Sequence, residues 1–282
     1  MRLKIQHRTT YSYTETVSDN SNEIRLQPRE SAWQKLEFFL LKVLPSTRLS
    51  HYWDFYHNTV HHFEIPTPHR KLVIESNLRI ETVAKVDVAA LPYGMSHDRL
   101  GECALIDECS DFIRDSRYVT SDAAVWREAI DARSGSQDVF QTAYSIMSHI
   151  YENYSYEPGV TSASTHASEV AERRKGVCQD FAHVMIAMCR SLGIPARYAS
   201  GYFYDSGHTG LRGAQASHAW CEVYLLNGGW YGLDPTNNKV VDDSYVKVAT
   251  GRDYHDTAPV IGQYVGKGSL SLDVSVNVTR VT

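Results

Sequence analysis

One cysteine stands where the sequence predicts the start of a helix. Cys178 follows Gly176-Val177 and precedes a run with apolar residues at helical spacing. The first turn of a helix has unpaired backbone N–H groups and carries the positive end of the helix dipole. That environment favours a thiolate and can bind a developing oxyanion, so Cys178 is a candidate nucleophile.

Two later residues complete a possible acyl-transfer site. His218 lies forty residues after Cys178, and Asp234 lies sixteen residues beyond His218. A thiolate attacks a carbonyl, a histidine manages the proton of the leaving amine, and a carboxylate fixes the histidine tautomer. Each residue alone is more often structural, and the prediction of a Cys-His-Asp site rests on their conjunction.

The connection between two predicted strands decides whether His218 and Asp234 can meet. Alternate strand residues point to opposite faces, so Cys221 points away from the face that carries His218. A two-residue turn within Leu225–Gly229 would pair Asp234 with Cys221, on the wrong face. A loop of three or five residues pairs Asp234 with Trp220 instead, one same-face step from His218. We therefore predict an odd loop.

The oxyanion would need hydrogen-bond donors besides the thiolate. The backbone N–H of Cys178 is one donor, and the sequence leaves the second open among the phenols of Tyr154 and Tyr156 and the amide of Gln179. Trp220 is a further candidate for lining the site, because it shares the face of His218.

A charged cluster follows the predicted strands of the site. Arg252, Asp253 and Asp256 lie close together in sequence and could line a substrate cleft. The alternative is a salt-bridged loop with a structural role, which is the more common outcome for such a cluster.

These residues need helices and strands to position them. Helical spacing predicts helices near 105–115, 121–132 and 137–152, and a buried helix from Cys178 that ends at Gly193-Ile194-Pro195. Strands are predicted at 196–204, 217–225 and 230–234, and a closing strand near 269–281 alternates apolar with polar residues.

The first part of the chain has a different pattern. Short alternating runs such as Leu3–His7, Val60–Ile65 and Leu72–Glu75, separated by turn residues, predict a small antiparallel β domain over residues 1–90. A catalytic unit over 91–282 would follow, with the boundary in the segment Ala89–Gly94 and the last strand closing a sheet. The fold class is α+β, with helices packed on an antiparallel β-barrel or sheet.

Composition limits the function classes. The chain has 282 residues, 43% of them hydrophobic, and a net charge of −5, which disfavours nucleic acid or an anionic membrane as the partner. No signal-peptide or membrane-spanning run is evident, and the five cysteines lack metal or disulfide spacing, so a soluble cytoplasmic protein without a cofactor is expected.

Metal binding is an alternative for the histidine-rich stretch of the β domain. Five of the thirteen histidines fall between His51 and His69. No cysteine or paired carboxylate completes a ligand spacing, and the adjacent His61 and His62 face opposite sides of a strand, so solvated strand residues are the favoured interpretation.

Motifs around the candidate residues resemble those of the transglutaminase-like superfamily, in particular its bacterial branch. The similar segments are Tyr156–Gly159, GVCQDFAH at 176–183, GIPARYASGY at 193–202, HAWCEVY at 218–224, GWYGLDPTN at 229–237 and the family ending at 251–259. The first eighty residues resemble the N-terminal β region that precedes such cores in bacteria. The resemblance implies Cys178, His218 and Asp234 as catalytic residues and a papain-type core.

The resemblance leaves the reaction open, because the superfamily includes transglutaminases, peptidases and amidases. We expect hydrolysis of a peptide or amide bond through a thioester, since water is always available and no amine-binding pocket is evident from the residues. Amine transfer from a glutaminyl thioester is the alternative, and a non-catalytic binding module that keeps the fold is a third possibility. Calcium dependence is not implied.

Overall fold

The computed structural model describes residues 1–87, 90–205, 212 and 217–281. Its strands are β1 (Arg2–Ile24), β2 (Gln34–Leu44), β3 (Ser50–Trp53), β4 (Thr59–Ile65), β5 (His69–Thr82), β6 (Ser155–Tyr156), β7 (Lys175–Gly176), β8 (Ala196–Phe203), β9 (His218–Leu225), β10 (Gly229–Asp234), β11 (Lys239–Val240), β12 (Tyr245–Gly251), β13 (Val260–Val265) and β14 (Leu270–Arg280). Its α-helices are α1 (Leu100–Cys103), α2 (Asp107–Ser110), α3 (Ala123–Arg133), α4 (Val139–Asn153), α5 (Ala167–Arg173), α6 (Cys178–Ser191) and α7 (Tyr254–Thr257). Ala89, at the start of the expected domain boundary, and Thr282 lie outside the described residues. The fold class is α+β, as the sequence indicates.

A long first strand organises the N-terminal β region. In β1, Leu3, Ile5, His7 and Thr9 are buried and alternate with exposed residues, which is the period of a strand with one face in a core. The first half of β1 pairs with β5 and its second half with β4, across an irregularity between Ser12 and Val17. β1 thus pairs with different strands along its length, and this single strand links both halves of the region.

The closing strand lies in a different sheet from the one expected. The sequence assigns residues 269–281 to the catalytic unit, but β14 pairs antiparallel with β1 from Leu3↔Arg280 to Tyr13↔Leu270. β13 pairs with the second half of β1. The apolar alternation of this strand reveals a strand without identifying its partner, because register and partner are set by distant residues.

The second sheet carries the candidate residues. It has five antiparallel strands in the order β11-β10-β9-β8-β12, and the buried helix α6 packs against one of its faces. Ala219, Cys221 and Val223 of β9 belong to that shared core. The intervening residues His218, Trp220 and Glu222 consequently point to the opposite face of the sheet.

Side-chain amides join the N-terminal region to the edge of the second sheet. Gln34 donates to the Lys247 carbonyl at 2.7 Å and accepts from the Lys247 N–H at 2.9 Å. Asn58 makes the same pair of bonds with Thr250, at 2.8 and 2.9 Å. Both partners lie on β12, an edge strand, so the amides replace the ladder bonds that a neighbouring strand would supply.

A buried arginine fixes the end of α6. Arg190 donates to the backbone carbonyls of Phe112, Arg114, Ala196 and Arg252, and it is only 4% exposed. Burial lowers the pKa of its guanidinium to about 10. These bonds tie the segment 112–114, the start of β8 and the residue after β12 to the helix that begins at Cys178.

No helix among the described residues is long and apolar enough to cross a membrane.

Candidate active site

Cys178 is the first residue of α6, as the sequence predicts. Val177 is the N-cap, and the carboxylate of Asp180 accepts its backbone N–H at 2.8 Å. The approach is close: a β-carbon on Gly176 would lie 2.6 Å from the Asp180 carboxylate, so this position requires glycine. The cap leaves the Cys178 N–H at the positive end of the helix, next to a partly exposed thiol.

The connection between β9 and β10 has the predicted odd length. Leu225 pairs with Gly229 and Tyr224 with Trp230, so three residues, 226–228, form the loop. The ladder continues to Leu233↔Cys221, which puts Asp234 level with Trp220. The prediction of an odd loop is confirmed, and Asp234 therefore shares a face with His218.

His218 and Asp234 form a buried ion pair. The Nε2 of His218 lies 2.7 Å from the Oδ2 of Asp234, and both side chains have zero exposure. The Nδ1 of His218 is buried and has no hydrogen-bond partner among the described residues. One ring nitrogen is thus held by the carboxylate, and the other is open to a reacting group.

Electrostatics favour the charged form of this pair. Burial lowers the pKa of His218, but Asp234 and then the side chain of Cys178 outweigh burial and raise that pKa to about 10. Burial acts to raise the pKa of Asp234, and His218 with the hydrogen bonds around the carboxylate holds it below its usual value. The carboxylate of Asp234 thus favours the imidazolium form of His218 over the neutral ring.

Three residues that the sequence analysis did not single out hold Asp234. The phenol of Tyr245 and the amide of Asn237 each donate to Oδ2 at 2.8 Å, and the Thr236 N–H donates to Oδ1 at 2.9 Å. Asn237 and Thr236 were visible in the segment GWYGLDPTN, whose turn after Asp234 is a signal for such bonds. Tyr245 lies on β12, and no local pattern connects it with Asp234.

Of the two candidate phenols for the second oxyanion donor, Tyr156 is the one that interacts electrostatically with Cys178. It pairs with Gly176 across β6 and β7, two residues before Cys178, and burial together with the nearby Cys178 raises its pKa. Tyr154 instead donates to Glu128 at 3.2 Å. The Gln179 amide donates to the Ala163 carbonyl at 3.1 Å.

Trp220 is 1% exposed, and its ring lies 6.4 Å from that of His218. It supports the histidine ring from the face of the sheet, and its indole edge lines a separate cavity.

The charged cluster at 252–256 makes structural contacts. Arg252 forms a bidentate pair with Asp256 at 2.9 and 3.2 Å. Asp253 is 1% exposed, caps α7 and accepts the Tyr118 N–H at 2.9 Å. These bonds correspond to the salt-bridged loop of the alternative interpretation, and Arg252 and Asp256 also line an open cavity together with Arg25 and Tyr56.

Another buried histidine packs on the α6 side of the site. The Nε2 of His183 accepts the Tyr254 N–H at 3.0 Å, and burial lowers the pKa of His183 to about 4. A neutral His183 thus anchors the start of α7.

No three His, Cys, Asp or Glu side chains of the described residues are grouped so as to hold a metal ion. In the histidine-rich stretch, the rings of His51 and His61 lie 5.9 Å apart.

Comparison with known proteins assigns the family. Residues 128–235 match the transglutaminase-like superfamily, and residues 3–81 match the bacterial transglutaminase-like N-terminal region. An uncharacterized protein of Mycobacterium leprae is 32% identical over 286 residues, covering 99% of each chain. A protein-glutamine gamma-glutamyltransferase of Pseudomonas aeruginosa is 32% identical over 87 residues, which cover 29% of this chain and 13% of that protein.

A solved structure shares the whole fold. The "Putative Cysteine Protease" from Cytophaga hutchinsonii superposes with a TM-score of 0.77 at 24% identity, covering 100% of this chain and 92% of its own. The N-terminal β region and the core of this chain are thus found together in a known structure. The chain belongs to the transglutaminase-like superfamily and carries the bacterial transglutaminase-like N-terminal region ahead of its core.

Proposed function

We propose that the protein is a cysteine hydrolase that cleaves peptide or amide bonds through a thioester on Cys178. The observation that carries the proposal is the buried His218–Asp234 pair, whose open ring nitrogen lies beside a cysteine at a helix N-terminus. A thiolate–imidazolium pair is the form in which a cysteine attacks a carbonyl.

Each residue has a defined role in this scheme. The Cys178 sulfur attacks the carbonyl carbon. The Cys178 N–H and the Tyr156 phenol donate hydrogen bonds to the oxyanion that forms. His218 then gives its proton to the leaving amine, the C–N bond breaks, and a thioester remains. Water, deprotonated by His218, attacks the thioester and releases the acid and the free thiol. Asp234 keeps the imidazole oriented and charged during these steps.

Amine transfer is the second candidate. The similarity to a protein-glutamine gamma-glutamyltransferase of Pseudomonas aeruginosa favours it, although that similarity covers 29% of this chain. The two functions share every step up to the thioester and differ in the group that attacks it.

The experiment offers the enzyme both routes. A glutamine-containing peptide and an amide library are incubated with a labelled primary amine, and ammonia, cleaved product and labelled peptide are followed together. Hydrolysis predicts release of acid with little labelled product, and Cys178→Ala abolishes it. Dominant incorporation of the amine would replace hydrolase by transferase, and activity that survives Cys178→Ala would contradict both.

We also propose that the protein is cytoplasmic. The five cysteines are free thiols, and four of them are buried, which fits a reducing compartment.

A further inference from the structure

The strand β14 forms a long open edge of the N-terminal region. It pairs with β1 from Leu270 to Arg280 without a register shift, and no other strand of the described residues pairs with it. Its 11 residues span about 37 Å at the rise of an antiparallel strand. A regular free edge of this length presents a row of unpaired backbone groups to any other strand, which natural proteins usually prevent.

The other edge strands that the described residues form are protected. β2 contains three charged residues and has a register shift against β5, and β13 has a register shift against β1. β3 and β11 have only four and two residues. The amides of Gln34 and Asn58 cover β12. β14 has neither a register shift nor a proline, and Asp273 is its only charged residue before Arg280.

The free backbone groups of β14 belong to its apolar residues. The Ser269 carbonyl accepts from the Thr14 N–H, and the Val281 N–H donates to the Arg2 carbonyl, so odd-numbered residues turn their backbone groups towards β1. These groups alternate in direction along a strand, and even-numbered residues therefore turn theirs outwards. The outward-facing residues are Leu270, Leu272, Val274, Val276, Val278 and Arg280.

The apolar face of β14 is covered at one end only. Val276 and Val278 are half-buried and pack against a core to which β1, β5 and β12 contribute. On the same face, Leu270, Leu272 and Val274 are 45%, 57% and 41% exposed. The first half of the strand thus presents apolar side chains and free backbone groups together.

We propose that β14 pairs antiparallel with β14 of a second copy of this chain, which joins two N-terminal sheets into one. Residues that exchange hydrogen bonds must both have outward backbone groups, so even-numbered residues oppose even-numbered ones and apolar side chains meet apolar ones. The register with the most residue pairs places a two-fold axis at Ser275. In this register Leu272 opposes Val278 of the second copy, and Val274 opposes Val276 of the second copy.

Two features of β14 favour a second copy as its partner. About a two-fold axis, the exposed half of each strand lies beside the half-buried end of the other, so both copies gain the same cover. Asp273 opposes Asn277 of the second copy, and no two like charges are directly opposed along the strand. Because a two-fold contact is closed, the association ends at a dimer.

Sedimentation equilibrium measures the association at about 1 to 200 µM protein, since a small interface of this kind is expected to bind in the micromolar range. Val274→Pro removes an outward N–H that β1 does not use. Leu272→Lys places a charge on the apolar face, as natural edge strands do. The matched control is Leu40→Lys on β2, where the leucine is 52% exposed.

A disulfide tests the register directly, in a Cys178→Ser background that removes the partly exposed thiol. Ser275→Cys places two thiols on the axis as a non-hydrogen-bonded pair, with α-carbons about 4.5 Å apart, which suits a disulfide. Asn277→Cys is the matched control, because its two copies lie roughly 14 Å apart in the same register. A mild oxidant is added, and the crosslinked dimer is counted on a non-reducing gel.

We expect a monomer–dimer equilibrium in wild type and in Leu40→Lys, and a dissociation constant raised about tenfold or more in Val274→Pro and in Leu272→Lys. We also expect Ser275→Cys to crosslink and Asn277→Cys not to. A wild-type monomer throughout the range, or a dimer that either β14 variant leaves unchanged, would overturn the proposal. Equal crosslinking at the two positions, or growth beyond a dimer, would contradict the two-fold pairing.

Discussion

Glu222 is a buried carboxylate that pairs with two cations of the second sheet, Arg197 on β8 and Lys247 on β12. It is 4% exposed and lies between Arg197 and Lys247, with Oε2 2.7 Å from the guanidinium and Oε1 2.8 Å from the ammonium. Glu222→Gln keeps the shape of the side chain and removes its charge. Two partly buried cations then lose their shared counter-ion.

The loss of folding free energy in Glu222→Gln can be worked out in two ways. Burial opposes ionisation of Glu222, but Lys247 and Arg197 outweigh it and lower its pKa from 4.5 to about 2. At about 1.4 kcal/mol for each pKa unit, this corresponds to ~3 kcal/mol. Removing one partner of a buried ion pair costs about 3–5 kcal/mol. Burial lowers the pKa of Lys247 despite Glu222, so holding the lysine charged offsets part of the gain and favours the lower figure.

The pH dependence follows from the direction of the shift. Because the folded pKa of Glu222 lies below its ordinary value, the stabilisation is present above about pH 4.5 and is lost as the pH falls towards 2. Urea unfolding should give a loss of ~3 kcal/mol for Glu222→Gln at pH 7 that shrinks below pH 4. The matched control is Glu157→Gln, which breaks an exposed pair with Lys175 and should cost under about 1 kcal/mol. A Glu222→Gln loss no larger than the control, or one independent of pH down to 3, would refute this reasoning.

Three further predictions concern the site and the contact between the N-terminal region and the second sheet. Asn58→Ala removes two buried hydrogen bonds to the Thr250 backbone and should lower the free energy of unfolding, measured in urea, by about 2–4 kcal/mol. A loss below about 1 kcal/mol would argue against these bonds holding the N-terminal region to β12. Asn237→Ala removes one of the donors to Asp234 and should slow alkylation of Cys178 at pH 7 by about three- to tenfold, whereas an unchanged rate would mean that Asp234 needs no such support. Tyr156→Phe should reduce turnover by about 10²-fold without slowing alkylation by iodoacetamide, which forms no oxyanion; equal turnover would exclude Tyr156 as a donor.

Local signals predict the start and end of α6. Gly176 precedes the cap, Gly193 adopts a φ of +77°, and Pro195 follows two residues later. These residues act through backbone geometry within one turn, so sequence alone is sufficient to locate them. The same locality explains why the position of Cys178 at the helix start is predictable.

Strand parity carries the prediction one step further in space. The faces of β9 and β10 are set by their two-residue period, and the only unknown was the loop between them. Since an odd loop brings Asp234 to the face of His218, the requirement that the two residues meet selects the observed register.

Contacts between distant segments were not predictable. Gln34 and Asn58 read as ordinary polar residues in the sequence, and their role depends on a strand edge more than 190 residues away. The pairing of β14 with β1 spans almost the whole chain, and the hydroxyl of Tyr245 reaches Asp234 only because β12 and β10 belong to one sheet. Periodicity identifies such elements, whereas their partners depend on the assembled fold.

The most direct measurement is the rate at which iodoacetamide modifies each cysteine, followed by mass spectrometry at pH 6 to 8. Cys178 is the partly exposed thiol, and the other four cysteines are buried. The imidazolium of His218, whose pKa is raised to about 10, should keep Cys178 reactive at pH 6. We predict modification of Cys178 first, and a rate at pH 6 that falls about tenfold or more in His218→Ala but not in His51→Ala. Equal rates in wild type and His218→Ala, or faster modification of another cysteine, would contradict activation of Cys178 by the His218–Asp234 pair.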